Sequence, residues 1–223
     1  MCGRFVSATP ASDLARYLDV DEIVADEREP SWNVAPTDPV YAAADRKGHR
    51  ALGTFRWGLV PSWAKDASIG ARMINARAET LTKKFGPAFE RRRCVIPANG
   101  FYEWDKLPDG KRQPYYIHRA DGAPLTFAGL WEFWRDPAND EIELRTCTII
   151  TTDANDLIRP VHDRMPAVLA PSDWARWLDR DNHDVGSLAG LLAPADARQF
   201  EMYAVSTAVN SVRNNDDTLN HPT

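Results

Sequence analysis

The segments LTFAGLW (residues 125–131) and LRTCTIIT (residues 144–151) have the composition of β-strands. Both are rich in aromatic or β-branched residues, and turn formers separate them from their neighbours. Further extended runs lie at 39–43, 51–57, 114–118, 167–170 and 202–205. No regular alternation of strands and helices appears, which disfavours a doubly wound parallel sheet. We predict an α+β fold: a single compact, strand-dominated domain with a barrel-like antiparallel sheet and peripheral helices.

The helices are predicted to be short and few, and one domain is predicted over residues 1–223. Thr9 and Pro10 resemble an N-cap followed by a first-turn proline. Ser172 is a candidate cap for a helix that carries Trp174 and Trp177 on one side. Helix or helical turns are also predicted at 75–85 and 89–93. The last residues, 214–223, are polar and are predicted to form a frayed tail.

Cysteine content and hydropathy favour a reducing, cytoplasmic compartment. The three cysteines, Cys2, Cys94 and Cys147, are odd in number and lack paired spacing, so a disulfide framework is not expected. No apolar run is long enough to span a bilayer. The N-terminal residues lack the pattern of a signal peptide. We therefore expect a cytoplasmic protein without a membrane partner; we also expect a monomer.

Charge is unevenly distributed along the chain. The net charge is −5, which taken alone argues against a generic nucleic-acid binder. Residues 72–93, however, contain seven basic residues against two acidic ones: Arg72, Arg77, Lys83, Lys84, Arg91, Arg92 and Arg93 against Glu79 and Glu90. Such a run is usually a solvated surface. It is also compatible with a local groove that binds phosphates.

Several familiar chemistries have no sequence support. The five histidines do not show metal-ligand spacing, and no CxxC or HExxH motif is present. Phosphate-binding glycine motifs and the GxSxG motif are also missing. We predict neither a metal site nor a cofactor.

Four residues are candidates for chemistry, each with a simpler alternative. Cys2, in MCGRF, is either a small apolar residue or, once Met1 is removed, a residue with both a free amine and a thiol. His162, in RPVHDRMP, is either a surface histidine or a general acid/base. Glu103, in NGFYEWDK, is either a solvated edge-strand residue or a buried proton-transfer group. Asn75, in MINARAET, is either a helix cap or a site residue.

Seven segments in order carry a family resemblance: MCGRF at the start, WNVAPT at 32–37, WGLVPSWAKD at 57–66, INARAET at 74–80, CVIPANGFYEW at 94–104, VHDRMP at 161–166 and AVNSVRNND at 208–216. Together they resemble the SOS-response-associated peptidase (SRAP) family over nearly the whole chain. The resemblance implies covalent trapping of abasic sites in single-stranded DNA by the cysteine at position 2, after Met1 has been removed in a self-processing step. It implies Cys2, Asn75, Glu103 and His162 as the catalytic group.

The resemblance also implies a path for DNA. The predicted DNA-binding residues are Arg4, Pro36, Trp63, Arg72, Arg77, Lys83, Trp104 and Thr151. Arg4 and Arg77 would hold phosphates, whereas Arg72, Lys83 and Lys84 are assigned from their charge. Trp63 stands between turn formers and a lysine, a setting that suits a loop aromatic stacking on a base.

Three functions remain open from the sequence. The first is a thiazolidine DNA–protein crosslink with single-stranded DNA, accompanied by a side activity as an abasic-site lyase and by association with the nucleoid during DNA damage. The second is a thiol peptidase that uses Cys2, His162 and Glu103 on peptides. The third is a module that binds damaged DNA without chemistry.

Overall fold

The computed structural model describes residues 2–223, and Met1 lies outside the described residues. The strands are β1 Arg4–Ser7, β2 Glu22–Ile23, β3 Ser31–Val34, β4 Pro39–Arg46, β5 His49–Trp57, β6 Asn75–Arg77, β7 Arg93–Ala98, β8 Gly100–Lys106, β9 Arg112–Arg119, β10 Leu125–Asp136, β11 Asn139–Asp153, β12 Arg164–Pro166 and β13 Phe200–Ala204. The α-helices are α1 Ala11–Tyr17, α2 Leu81–Arg91, α3 Trp174–Leu178 and α4 Val185–Gly190. Short 3₁₀ helices lie at Ala67–Arg72, Ala78–Thr80, Pro171–Asp173, Ala197–Gln199, Thr207–Asn210 and Asp217–Asn220.

Five strands close into a barrel in the order β11, β10, β7, β4 and β5. The first four neighbour pairs are antiparallel. The ring closes where β5 runs parallel to β11, with Arg56 opposite Thr146 and Trp57 opposite Cys147. The prediction of a strand-dominated, barrel-like domain with peripheral helices is therefore confirmed.

The strand β10 forms because nearly every residue in its first half is apolar and buried. Residues 125–130 are fully enclosed, as expected for a strand covered on both faces. Gly129 permits close packing against β7, since a Cβ at this position would lie 2.8 Å from the Cys94 Sγ. A larger residue at 129 would push β10 away from its partner.

A second sheet of five strands, in the order β13, β9, β8, β1 and β3, packs against the barrel. The Phe5 ring on β1 lies 5.0 Å from Trp57 and 6.1 Å from Phe127, in edge-to-face contacts. Phe101 on β8 reaches the same Phe127 ring at 6.0 Å. These aromatic contacts hold β1, and so the residues just before it, against the barrel wall.

The hairpin β10–β11 extends beyond the apolar runs that predict it. Its outer part is charged and solvated, and Arg135 pairs across the strands with Glu143 through an N–H···O bond of 3.0 Å. Backbone pairing continues there because an exposed ladder does not require apolar side chains. Hydrophobic patterning therefore identified only the part of the hairpin that lines the core.

The prediction of a helix that starts at Asn75 is wrong. Residues Asn75–Arg77 form a short strand that runs parallel to β11, with Asn75 opposite Ile149. The α-helix begins only at Leu81 and is kinked at Phe85, two residues before Pro87. Backbone pairing with β11 overrides the local helix propensity of this segment.

Other local expectations are partly wrong. Pro10 itself stands at the cap position of α1, without a capping side chain, and Asp173 rather than Ser172 precedes α3. Residues 89–91 are helical, but Arg93 already begins β7. The run 167–170 does not form a strand. The Ala167 N–H donates to the Ile150 carbonyl on β11, whereas the Leu169 N–H donates to the Thr126 carbonyl on β10, so no continuous ladder with one strand forms.

The C-terminal residues pack onto the domain rather than fraying, so the predicted tail is wrong. Leu219 is buried, and Pro222 forms a bridge with Val205. The Tyr203 hydroxyl donates to the Asn220 carbonyl at 2.8 Å. The buried leucine, the bridge and the Tyr203 hydrogen bond together anchor this otherwise polar segment.

No helix in the described part of the chain combines the length and the apolarity needed to cross a membrane.

Candidate functional site

Cys2 lies two residues before the start of β1 and is fully buried. Its backbone carbonyl accepts a hydrogen bond of 2.8 Å from the Asn75 side-chain amide. Its Sγ lies 3.8 Å from the Arg4 carbonyl. Because β6 holds Asn75 by pairing with β11, this hydrogen bond ties Cys2 to a barrel strand.

Glu103 lies on β8, which is paired on one side with β1 and on the other with β9. Its side chain is 3% exposed, so the alternative of a solvated edge-strand glutamate is excluded. Burial raises the pKa of the Glu103 carboxyl to about 7, and the negative charge of Asp163 acts in the same direction. The group therefore exists in both protonation states near neutral pH, as a proton-transfer group requires.

The Cys2 thiol and the Glu103 carboxylate lie close enough to influence each other. Burial raises the pKa of the Cys2 thiol well above its usual range, and the Glu103 charge raises it further. The sulfur is therefore a neutral thiol at pH 7. This environment is opposite to the electropositive setting that generates a reactive thiolate.

His162 lies in the loop before β12 and is half-buried. Its Nδ1 accepts a hydrogen bond of 2.9 Å from the Arg164 backbone N–H, and an Asp163 carboxylate oxygen lies 3.0 Å from the same nitrogen. Burial lowers the pKa of the ring, so the neutral form prevails at pH 7.

Arg164 is a buried residue that sequence reasoning did not assign to the site. Its guanidinium bonds Glu79 and Asp153 at 2.6 Å each and the Thr151 carbonyl at 2.7 Å. It thereby joins the segment after β6, the end of β11 and the His162 loop. Its place in the motif VHDRMP, two residues after His162, is the signal that could have identified it.

Replacing Arg164 with methionine should lower the free energy of unfolding by about 2 kcal/mol, measured by urea denaturation. The loss is smaller than for a fully buried ion pair, because Glu79 and Asp153 are half or more exposed. The matched control is Arg16→Met, which removes an exposed i,i+3 pair with Asp13 and should cost less than about 0.5 kcal/mol. Equal effects of the two substitutions would contradict the assigned role of Arg164.

Several predicted DNA contacts are on the surface. Trp63 is 76% exposed, and its loop is held by a bond of 2.7 Å from the Trp134 indole N–H to the Ala64 carbonyl. Pro36 is half-buried in a turn, where an Asp38 carboxylate accepts from the Ala35 N–H at 2.9 Å. Within the basic stretch 72–93, the side chains exposed to solvent are those of Arg72, Arg77, Lys83, Lys84 and Arg91.

Two side chains occupy positions unlike those expected of DNA contacts. Thr151 is fully buried on β11, opposite Arg77, so it presents no group at the surface. Arg93 is buried too, and its guanidinium bonds backbone carbonyls of Trp177 and Phe89 at 2.6 Å each. Arg93 therefore stabilises the packing of α2 and α3 and is not part of a phosphate-binding surface.

Arg4 and Trp104 are both half-buried, and both are bonded to asparagines. An Arg4 Nη donates to the Asn33 Oδ1 at 2.7 Å, and the Trp104 indole N–H donates to the Asn210 Oδ1 at 2.7 Å. The structure brings Cys2, Asn75 and Glu103 together, and Asp163 of the His162 loop lies near enough for its charge to act on Glu103. Arg4 and Trp104 lie on the paired strands β1 and β8.

Fold and site define a class of protein: a closed barrel with an added sheet, in which a cysteine at position 2 is buried beside an asparagine and a carboxyl group of raised pKa. The chain belongs to the SOS response associated peptidase (SRAP) family, whose model matches residues 1–212. The family resemblance seen in the seven motifs is confirmed.

The chain is similar to three proteins named abasic site processing protein. It is 43% identical to YoaM of Bacillus subtilis (strain 168), over 98% of this chain and 97% of that protein. It is 32% identical to YedK of Escherichia coli (strain K12), over 100% of both chains. It is 33% identical to HMCES of Gallus gallus, over 96% of this chain and 75% of that protein.

A solved structure of a protein from Bacteroides thetaiotaomicron has the same fold. It superposes with a TM-score of 0.87 at 25% identity and covers 100% of both chains.

Proposed function

We propose that this protein processes abasic sites in DNA by forming a covalent thiazolidine crosslink through Cys2 after Met1 is removed. The observation that supports it most directly is the buried, neutral Cys2 thiol beside a Glu103 carboxyl whose pKa is about 7. The names of the curated relatives support the substrate. The proposed working form is a monomer in the cytoplasm, associated with the nucleoid during DNA damage.

The first step of the proposed reaction is attack by the Cys2 amine. An abasic sugar opens to an aldehyde, and only the aldehyde reacts with amines. An α-amine has a pKa of about 7.7–8, compared with about 10.4 for lysine, so a useful fraction is uncharged near neutral pH. The amine nitrogen bonds the aldehyde carbon and water leaves, which produces an imine. The His162 ring is proposed to donate a hydrogen bond to the sugar ring oxygen as the ring opens.

The second step is ring closure by the thiol of the same residue. The sulfur bonds the imine carbon, the thiol proton passes to the Glu103 carboxylate, and the Glu103 carboxyl passes that proton on to the imine nitrogen. The product is a five-membered thiazolidine. Closure is fast because amine and thiol belong to one residue, which gives the intramolecular reaction a high effective concentration. An imine that fails to close can instead eliminate the 3′ phosphate, which accounts for the proposed lyase side activity.

A general thiol peptidase is supported less well. Such an enzyme needs a thiolate at neutral pH, usually produced by a neighbouring cation. Here burial and the Glu103 charge both raise the pKa of the Cys2 thiol. Proteolysis is therefore proposed only for the removal of Met1, which lies outside the described residues.

The proposed DNA path supports binding to a single strand with little sequence preference. Arg4 and Arg77 would contact phosphates, which position a strand without reading bases. Trp63, Trp104 and Pro36 would contact bases and sugars. Binding is expected to weaken as salt concentration rises.

Trp63→Ala should weaken binding of single-stranded DNA by about 1–3 kcal/mol, since one base-stacking platform is lost. Trp63 is 76% exposed, so the free energy of unfolding should stay within about 0.5 kcal/mol of the native value. Fluorescence anisotropy with a labelled oligonucleotide measures the affinity, and thermal denaturation provides the control. Unchanged affinity would place Trp63 outside the DNA path.

The function is tested with single-stranded DNA that contains one abasic site. Intact mass first establishes that Met1 is absent from the sample. Denaturing electrophoresis should then show a shifted band, and mass spectrometry should locate the adduct on the peptide that begins with Cys2. Binding without an adduct would favour a non-covalent module, and cleavage of unrelated peptides would favour a thiol peptidase.

A further inference from the structure

The guanidinium of Arg4 is held by neutral oxygen atoms of the C-terminal part of the chain. One Nη donates to the Asn33 Oδ1 at 2.7 Å and to the Val209 carbonyl at 3.1 Å. The other donates to the Asn210 carbonyl at 3.4 Å. Among residues 2–223, no carboxylate forms an ion pair with Arg4, and Asp38 acts on it only at longer range. Its position is therefore fixed while no carboxylate of the described residues is bonded to its positive charge.

The buried side chain of Asn33 organises this arrangement. It is 4% exposed, and its Nδ2 lies within bonding distance of three carbonyl oxygens, those of Val209 at 3.2 Å, Ser211 at 3.0 Å and Asn214 at 2.9 Å. Residues 209–215 are therefore arranged around the side-chain amide of Asn33. The segment in turn presents the two carbonyls that accept from Arg4.

The same segment is attached at two further points. The Asn210 Oδ1 accepts from the Trp104 indole N–H at 2.7 Å, which connects the segment to the strand that carries Glu103. The Asn215 Oδ1 accepts from the Trp32 backbone N–H at 2.7 Å. Residues 209–215 thus link β1, β3 and β8 close to the proposed site.

We propose that Asn33 is a positioning residue which, through residues 209–215, orients Arg4 with neutral acceptors so that its charge is available to a DNA phosphate. This inference rests on the proposed function, because it takes the partner of Arg4 to be a phosphate of the DNA strand that lies beside Cys2. Arg164 shows the contrast: two carboxylates neutralise it, and it ties segments of the fold together. Arg4, by contrast, is held by carbonyl and amide oxygens, so its charge can still form a charge-assisted hydrogen bond with a phosphate.

The test compares Asn33→Ala with Asn99→Ala. Asn99 anchors the other end of β1 through bonds of 2.8 Å to the Ala8 N–H and the Thr9 hydroxyl, and it lies outside the proposed site. The probe is single-stranded DNA with a tetrahydrofuran residue, which cannot crosslink. For Asn33→Ala, the slope of log K against log salt should become shallower by about 0.7, the value for one lost phosphate contact, and affinity near 0.1 M salt should fall about fivefold. Asn99→Ala should leave both quantities unchanged.

A double-mutant cycle with Arg4→Gln shows whether Asn33 acts through Arg4. In the Arg4→Gln background, adding Asn33→Ala should change affinity by less than about twofold, because the affected contact is already lost. Full additivity of the two substitutions, or identical behaviour of the Asn33 and Asn99 variants, would overturn the inference.

A measurement on the unmodified protein covers the case in which Asn33→Ala does not fold. The Nη resonances of Arg4 should be resolved in ¹⁵N spectra because bonding at both nitrogens restricts rotation, whereas those of the exposed Arg77 should be averaged. Averaged Arg4 resonances would also overturn the inference. If the wild-type protein binds the probe but never crosslinks to abasic DNA, the proposed chemistry fails while the phosphate contact of Arg4 is still measured.

Discussion

Cys2→Ala should abolish the stable DNA adduct completely while leaving DNA affinity within about twofold of the wild-type value. The alanine retains an α-amine that can form an imine, but it has no sulfur to close the ring, so the imine reverts or eliminates the 3′ phosphate. Denaturing electrophoresis should therefore show strand nicking in place of a shifted band. An imine that persists can be trapped with borohydride, which would show that the amine still attacks.

The matched control for this variant is Cys2→Ser, which keeps an amine and a neighbouring heteroatom. A hydroxyl is a poorer nucleophile than a thiol, so the serine variant should give an adduct that forms more slowly and in lower yield. Both variants must first be shown by intact mass to lack Met1. A stable adduct of undiminished yield with Cys2→Ala would refute the proposed role of the thiol.

Glu103→Gln should slow crosslink formation by about 10²–10⁴-fold, the range typical for loss of a general acid/base. Glutamine has nearly the same shape but cannot exchange a proton. Since burial raises the pKa of Glu103 to about 7, the wild-type rate should show an inflection near pH 7 that the variant lacks. Single-turnover rates measured between pH 5 and pH 9 provide this comparison, and an unchanged inflection would assign it to another group.

The stability of the same variant gives an independent check on the pKa. The folded protein binds the Glu103 proton more tightly than the unfolded chain does, with a pKa of about 7 against 4.5. In the wild-type protein, the contribution of Glu103 to the free energy of unfolding is therefore fully present below pH 4.5 and is lost as the pH rises through 7. Relative to wild type, Glu103→Gln should gain roughly 3 kcal/mol in unfolding free energy between pH 4 and pH 8, measured by urea denaturation. A difference that does not change with pH would mean that the folded-state pKa is not raised.

Much of the barrel could be predicted from hydrophobic runs, because strands covered on both faces are continuously apolar. The segments 125–131 and 144–151 lie within β10 and β11, the longest strands of the barrel. The solvated ends of that hairpin, and the C-terminal segment anchored by Leu219, escaped prediction because they are polar along most of their length. Pairing at a distance, rather than local composition, orders such segments.

Asn75 illustrates the limit of local reasoning about the site. Its surroundings suggested a helix cap, but parallel pairing with β11 makes it a strand residue whose amide reaches Cys2. That contact joins positions 73 residues apart, and no short window of sequence contains both. Arg164 was overlooked for a similar reason, because its partners Glu79 and Asp153 come from other segments.

The sequence by itself determined that this protein is a strand-rich domain of the SRAP family, because seven ordered motifs and several apolar runs are properties of the chain that need no folding to be read. The tertiary structure alone decided the chemical state of the candidate groups. Burial beside β1 keeps the Cys2 thiol neutral, and burial within a paired strand brings the pKa of Glu103 to about 7. A pKa depends on the solvent and charges around a group, and those surroundings exist only once distant segments have packed together.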